Sequence, residues 1–509
     1  MAAIDTTPGT GSIAAVKPAV ASGVATLGRE EGRVIWLLLA AAFVAILNET
    51  TMGVAIPHLI DDLGITALAA QWLTTAFMLT MAVVIPITGF LLRRFTTRTM
   101  FVAAMGLFST GTLIAFLAPG FPVLLIARVV QASGTAIMMP LLMTTLMTVV
   151  PAAIRGRMMG RVSIVISLAP AIGPTVAGAI LNSFEWRWIF GMVLPIAIVA
   201  LVVGARWIHN LGEPTRAPID VLSVILSALG FGGLVFGLSQ LGGGGHGTGA
   251  EAAAASATST ATLVIALVVG VVALGLFGWR QVRLQRNDDA LLDLRVFRSA
   301  NFSLSIGQMV IMSMAFFGAI TVVPLYLQRV LEVDPLQTGL VVLPGALAMG
   351  LLGPVIGRIY DRRGTTVLLV PGAVITTAML WFYTTFSTET PVLLVAAAQT
   401  VLSIGLALSF TPLFTASLAS LQPKFYSYGS AIVGTAQQVA GAAGIALMFG
   451  VMSAATAAAS ANGAGDVASE AAGTQAAFLV AAFLSLPLLV GAFLIRKPVD
   501  QPMGAPVAH

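Results

Sequence analysis

The chain has 509 residues, 58% of them hydrophobic and 9% charged, with a formal net charge of +5 and no Cys. That balance excludes a soluble globular domain, and the missing Cys excludes disulfides and thiolate metal sites. The basic residues fall in short clusters between apolar runs, which points to membrane topology and away from nucleic acid.

Residues 1–33 are small and polar and lack a basic–apolar–small cleavage pattern, so they are expected to form a disordered cytoplasmic tail and not a signal peptide. A helix needs about 20 apolar residues to cross the hydrocarbon core. Six runs of that length come first: Val34–Pro57, Gln71–Leu92, Thr99–Ala118, Pro122–Val149, Met159–Leu181 and Trp188–Trp207. Ile219–Leu241 and Ala261–Trp279 follow. The last six are Phe302–Leu327, Gln337–Ile356, Thr365–Phe386, Pro391–Leu418, Ser430–Val451 and Ala476–Ile495. Continuous runs of this length exclude a strand barrel, so the expectation is an all-α integral membrane protein with 14 spans.

Lys and Arg set the orientation. Alternate loops carry Arg93, Arg94 and Arg98, then Arg155, Arg157 and Arg161, then Arg280 through Arg298, then Arg358, Arg362 and Arg363. The opposite loops hold Arg187 and Arg329 but many acids, among them Asp61, Asp62, Glu332 and Asp466. Both termini are therefore predicted in the cytoplasm, with residues 496–509 as a second cytoplasmic tail.

An offset of 268 positions aligns two parts of the chain. Val34 falls on Phe302, Pro122 falls beside Pro391, and Gly89-Phe-Leu-Leu-Arg-Arg94 falls on Gly357-Arg-Ile-Tyr-Asp-Arg362. The predicted organisation is a six-helix half over 34–207, an inserted two-helix hairpin over 219–279, a cytoplasmic linker over 280–300 and a second half over 301–495. Parallel six-helix halves are a transporter architecture, with the site between halves near the midplane. The outer loop of the insertion, 242–260, is Gly- and Ala-rich and reads as a flexible connection, with a metal or substrate role for His246 as the other reading.

Glu49 and Arg128 are the two ionisable residues placed well inside apolar runs. A charge at the bilayer centre costs roughly 2.5–3.5 kcal/mol on insertion scales, so it is retained for pairing, proton transfer or substrate contact. Burial and a nearby arginine act on a carboxyl in opposite senses, and one balanced between them can take up a proton on one side and release it on the other. Glu49 reads as such an acid; a carboxylate bonded to Asn48 or Thr50, or one pairing with a cationic substrate, are the competing readings. Arg128 is permanently charged and reads as a fixed cation bonded to Gln131 or backbone carbonyls, or as a clamp between helices. Met138 and its neighbours Met139, Met143 and Met147, with Met312, Met314, Phe316 and Phe317, offer adaptable apolar walls or plain packing. Gln308, Gln437 and Gln438 are polar groups within spans that either meet substrate or bond neighbouring helices. His58 with Asp61 and Asp62 reads as a proton relay or, more simply, a solvated helix end.

These residues fall into patterns. Leu47-Asn-Glu-Thr-Thr-Met-Gly-Val-Ala-Ile-Pro57 with Asp62-Leu-Gly64, Leu124-x-x-x-Arg128-x-x-Gln131-x-x-Gly134, and Ala169-Pro-Ala-Ile-Gly173-Pro174-Thr-Val-Ala-Gly178 resemble the fourteen-span drug:proton antiporters of the major facilitator superfamily, the EmrB/QacA-like group. The resemblance covers nearly the whole chain. It implies a multi-pass cell-membrane antiporter and multidrug exporter, with Pro170, Gly173, Pro174 and Gly178 as the antiporter motif. It also implies cytoplasmic gating loops at Gly89, Arg93, Arg94 and Arg98 and at Gly357, Asp361, Arg362 and Gly364. The chain departs from the pattern at Asn48, where the group has Asp, with the carboxylate one place later at Glu49. Arg93 and Thr96 likewise replace an Asp and a Gly in the first loop, whereas the second copy keeps Asp361, Arg362 and Gly364.

No Gly-x-x-x-x-Gly-Lys-Ser/Thr loop occurs and no cytoplasmic stretch is long enough for an ATPase, so an ion gradient is the expected energy source. The expectation is a monomeric, proton-coupled exporter of amphipathic or cationic small molecules embedded in the lipid bilayer, with no cofactor, metal or nucleic acid. A lipid or glycolipid exporter of the same fold is the alternative. A membrane enzyme would want grouped acids, His or Lys at one face, and the chain shows no such group.

Overall fold

The computed structural model describes residues 28–65, 67–208, 210, 220–243 and 250–497. The described residues form 14 helices long and apolar enough to cross a membrane. They are α1 (Arg29–Leu63), α2 (Ala67–Arg94), α3 (Thr97–Phe116), α4 (Phe121–Val149), α5 (Arg155–Leu181), α6 (Arg187–Trp207), α7 (Val221–Gly243), α8 (Ala250–Leu284), α9 (Ala300–Leu325), α10 (Pro335–Arg363), α11 (Thr366–Tyr383), α12 (Val392–Ala419), α13 (Tyr426–Ala461) and α14 (Asp466–Leu494). Each expected span falls on one of them.

The larger differences are extensions. Helix α1 starts at Arg29, inside the stretch expected to be a tail, because Glu31 turns back to accept the Gly28 amide and two acids complement the helix N-terminus. Helix α8 starts at Ala250, within the expected flexible connection, and α13 runs on to Ala461. Both extensions are Ala-rich, and Ala has the highest intrinsic helix propensity. His246, the remainder of both tails and the side chain of Pro174 lie outside the described residues.

Helices α1–α6 pack among themselves, and so do α9–α14. The two sets meet through α5 with α10 and α12, and through α13 with α2 and α4. Both described chain ends adjoin the start of α5. The groove beside α1 is walled by Met158 and Arg161, and Lys497 donates to the Asp361 carbonyl at 3.1 Å. We call this side of the bundle the terminal face.

Every hydrogen bond between the two sets, among the described residues, lies in the terminal-face half of the helices. Asp361 accepts from the Gly156 and Arg157 amides at the start of α5, at 2.7 and 2.8 Å. Arg93 donates to the Tyr428 hydroxyl at 2.7 Å. Thr144 pairs with Ser430 at 2.8 Å and Ser163 with Thr411 at 2.7 Å. Gln438 donates to the Met81 sulfur at 3.9 Å. Glycines bring the backbones together here. A Cβ on Gly357 would lie 2.0 Å from the Gly156 carbonyl oxygen, and one on Gly160 would lie 2.2 Å from that of Gly353. Helices in lipid associate by such close packing, since apolar surface gains nothing from leaving apolar solvent.

The inserted α7 packs on α8 and against both α2 and α13, so it lies across a junction between the sets. Trp72 of α2 stacks on Phe236 of α7 at 5.8 Å between centroids. At the base of the hairpin Arg280 donates twice to Asp220, at 2.6 and 2.8 Å. Those bonds, with two from the Ser223 hydroxyl and amide, hold the Asp220 carboxyl down to about 2. Its contribution is complete above the ordinary aspartate range and is lost only as pH falls through about 2. Gln281 continues the chain by donating to Ser223 and accepting the Leu292 amide, and Tyr428 donates to the Ala290 carbonyl. The linker is thus tied to α7, α8 and α13.

The chain contains no native Cys, so a Ser163→Cys/Thr411→Cys pair should form a disulfide across the seam without background. The expected result is oxidation-dependent cross-linking of the resting protein, seen as a gel shift after cleavage between the sets; no shift under oxidant would contradict the closed seam.

Candidate functional site

Arg128 is 1% exposed in the interior of the first six helices. A guanidinium buried there must spend its donors on nearby acceptors. Nη1 donates to Gln131 Oε1 at 2.6 Å and to Asn48 Oδ1 at 3.4 Å, and Nε donates to the Leu73 carbonyl at 3.5 Å. The planar group also lies 4.1 Å over the Phe77 ring, a cation–π contact. Gln131 donates onward to Thr112, which donates to the Phe108 carbonyl. Helices α1, α2, α3 and α4 therefore meet through one side chain and its partners.

The local sequence explains the reach. Arg128 and Gln131 share a helix face at i, i+3. A Cβ on Gly111 would lie 2.5 Å from the Gln131 amide nitrogen, and one on Gly134 would lie 2.4 Å from the Ala104 carbonyl oxygen. These two glycines let the α3 and α4 backbones touch, which brings Thr112 within range of Gln131.

Glu49 forms no ion pair with Arg128 within 4.0 Å, yet the two charges lie within electrostatic range of each other. Helical phase fixes its direction. At about 100° per residue, Glu49 is roughly 140° from Trp36 and 180° from Ala40, the outward-exposed positions of α1. On its own stripe, Leu38, Ala42 and Ala45 are buried, and Glu49 and Ile56 are half-buried. Glu49 therefore faces into the bundle and not the acyl chains. Its neighbour Asn48 is buried with its Nδ2 donor unpartnered.

The other candidates divide. Gln308 is drawn to α14, donating to the Leu488 carbonyl at 2.7 Å. Met138 and Met312 are buried in the main apolar core. Phe316 is half-buried, with its ring against Phe317 and Phe410 at 5.1 and 5.8 Å. Gln437 and Gln438 are half-buried, and Gln438 faces α2. Gly173 presses α5 onto α1, where a Cβ would lie 2.2 Å from Thr50 Oγ1; Pro170 and Gly178 are half-buried on the same helix. Gly89 abuts α13, with a Cβ there 3.0 Å from that of Ala431. Arg94 lies over Phe95 at 6.0 Å, and Arg98 is exposed. Asp361 bonds α5, while Arg362 is exposed and Gly364 ends α10 at φ +81°. His58, Asp61 and Asp62 are all exposed.

Sequence reasoning missed Phe77 and Thr112, and it expected backbone carbonyl acceptors for Arg128 without identifying Leu73. In a chain with 26 Phe, one ring carries no distinguishing mark, and a backbone carbonyl carries none at all. The network makes a stability prediction. Gln131→Leu strips a partner from both Arg128 and Thr112 and should cost roughly 3 kcal/mol, whereas Gln308→Leu, which frees one carbonyl, should cost about 1 kcal/mol. Unfolding of the detergent-solubilised variants checks this; equal losses would contradict it.

The model of the Major Facilitator Superfamily matches residues 38–445. An uncharacterised MFS-type transporter, YcnB of Bacillus subtilis, is 40% identical over 465 residues, covering 91% of this chain and 95% of its own. The lincomycin resistance protein LmrB of Listeria monocytogenes is 39% identical over 91% of this chain and 96% of its own. A multidrug resistance protein B homolog of Mycobacterium tuberculosis is 29% identical over 82% of this chain and 75% of its own. Among solved structures, the human organic anion transporter MFSD10 superposes with a TM-score of 0.60 at 14% identity, covering 91% of this chain and 99% of that one. The proton:xylose symporter XylE superposes at 0.58 and 13%, covering 90% and 96%. These two establish the fold alone. The chain belongs to the Major Facilitator Superfamily and is a multi-pass cell-membrane transporter rather than an enzyme.

Proposed function

We propose that the protein is a proton-coupled antiporter that exports amphipathic or cationic small molecules by alternating access. Glu49 is the acid that exchanges the proton, and Arg128 is the fixed charge beside it. The relatives named for lincomycin and multidrug resistance support the substrate class. The carrying observation is a carboxyl that faces into the bundle, within range of a buried cation yet free of an ion pair with it. Such a carboxyl can change protonation without breaking a salt bridge, and the unpartnered Asn48 amide beside it gives an incoming ligand a donor.

The basic loops support a cytoplasmic terminal face. The seam then closes the cytoplasmic side, and this conformation faces outward. In that state Glu49 takes up a proton from outside. Opening the seam exposes it to the cytoplasm, where proton release and substrate binding compete for one carboxylate. The half-buried Phe316, Gln437 and Gln438 complete the substrate surface, with Met138 and Met312 packed in the core. Gln308 is left out because its amide is committed to α14. Gly173 couples α5 to α1 at Thr50, next to the acid, so separation of α5 from α10 is felt at Glu49. Each proton supplies about 1.36 kcal/mol per pH unit and about 2.3 kcal/mol per 100 mV.

Efflux of a fluorescent lipophilic cation from proteoliposomes with an imposed pH gradient tests this. Glu49→Gln should abolish the gradient-driven component while leaving cation binding measurable. Arg128→Lys, which keeps charge but loses the planar fork, should slow efflux at least about tenfold. Gradient-driven efflux by Glu49→Gln at the wild-type rate would remove Glu49 from the coupling role.

A further inference from the structure

A groove of about 630 Å³ opens on the terminal face between α1, α5 and α6, away from the seam and from Glu49. Three guanidiniums line it: Arg29 and Arg33, one turn apart on α1, and Arg161 on α5. No carboxylate lines it, and none of the three forms an ion pair with an acid among the described residues. Two indoles frame it. Trp36 is 57% and Trp207 54% exposed, with Arg161 5.5 Å over the first ring and Arg33 6.0 Å over the second. The floor is apolar, with Met158 buried beneath Arg161.

We infer that this groove binds the headgroup of an anionic phospholipid from the leaflet on the terminal face. Three features select that occupant together. Guanidiniums bond phosphate oxygens in pairs, and among the described residues no carboxylate lines the groove or pairs with them. Exposed indoles at a helix end sit at headgroup depth, which fixes the groove at the polar–apolar boundary. An apolar floor suits the glycerol backbone and first acyl carbons, where a free anion would find nothing. Basic pockets between spans at this depth take anionic headgroups. Arg29, Arg33 and Trp36 recur on one side of α1 at i, i+4 and i+7, so the helix presents both cations and one indole to the same molecule. The bound lipid covers the outer side of α5, whose adjacent residue Gly160 forms the seam with α10.

The test is native mass spectrometry of the full-length protein released from phosphatidylcholine nanodiscs, with or without phosphatidylglycerol. Wild type should retain one phosphatidylglycerol under activation that strips phosphatidylcholine. Retention should fall at least about fivefold for each arginine removed among Arg29→Gln, Arg33→Gln and Arg161→Gln. A charge-matched control on the same face, Arg283→Gln/Arg286→Gln/Arg358→Gln, should retain the lipid as wild type does. If the groove triple variant does not fold, Arg161→Gln and Trp207→Ala singly should each reduce retention. Equal retention by the two triples, equal loss by both, or displacement of the lipid by millimolar inorganic phosphate would overturn the proposal. The last result would mark a free-anion site.

Discussion

A guanidinium held inside a membrane bundle is the constraint from which the first six helices take their arrangement. Arg128 cannot shed its charge, and several kcal/mol are lost unless its donors and its ring face are matched. The matches come from four helices: Asn48 on α1, the Leu73 carbonyl and Phe77 on α2, Thr112 on α3 through Gln131, and Gln131 itself on α4. Each partner fixes the rotation of its helix. The fixed rotation of α1 then turns Glu49 inward, one residue beyond the bonded Asn48. A structural requirement in α4 thereby sets the direction of the one other ionisable group deep in an apolar run.

The contact between the two six-helix sets is built differently. Its glycine-lined crossing of α5 and α10 puts carbonyl oxygens against Cα atoms, and only a few hydrogen bonds stitch the rest. Each such bond contributes roughly 0.5–1.5 kcal/mol net. An interface of that kind is specific in register yet separable, which suits the alternating access proposed above. Helix α7 spans the α2–α13 junction and is tethered at its base to α8 and the linker.

Span number and position were legible in the residues because hydrocarbon thickness dictates the length of every apolar run. The pairing of Arg128 with Gln131 was legible because i, i+3 spacing puts both on one face. Partners supplied by other helices were not. Phe77 and Thr112 leave no periodic mark, and the acceptor at Leu73 is backbone. The second-copy loop shows the same limit. Asp361 stands out in the sequence as a gating-loop residue, but its partners do not: its oxygens reach the amides at the start of α5, and donors of that kind belong to every helix N-terminus. The early start of α8, at Ala250 inside the stretch expected as a flexible connection, has a different reason: Ala-rich sequence looks featureless in polarity while favouring helix.

The central claim is that Glu49 surrenders a proton when a cation enters. Proton release on addition of tetraphenylphosphonium to purified protein in weakly buffered detergent solution measures this directly. The account predicts about one proton released per cation bound by wild type and none by Glu49→Gln, since the group that titrates is gone. Undiminished release from Glu49→Gln would contradict it.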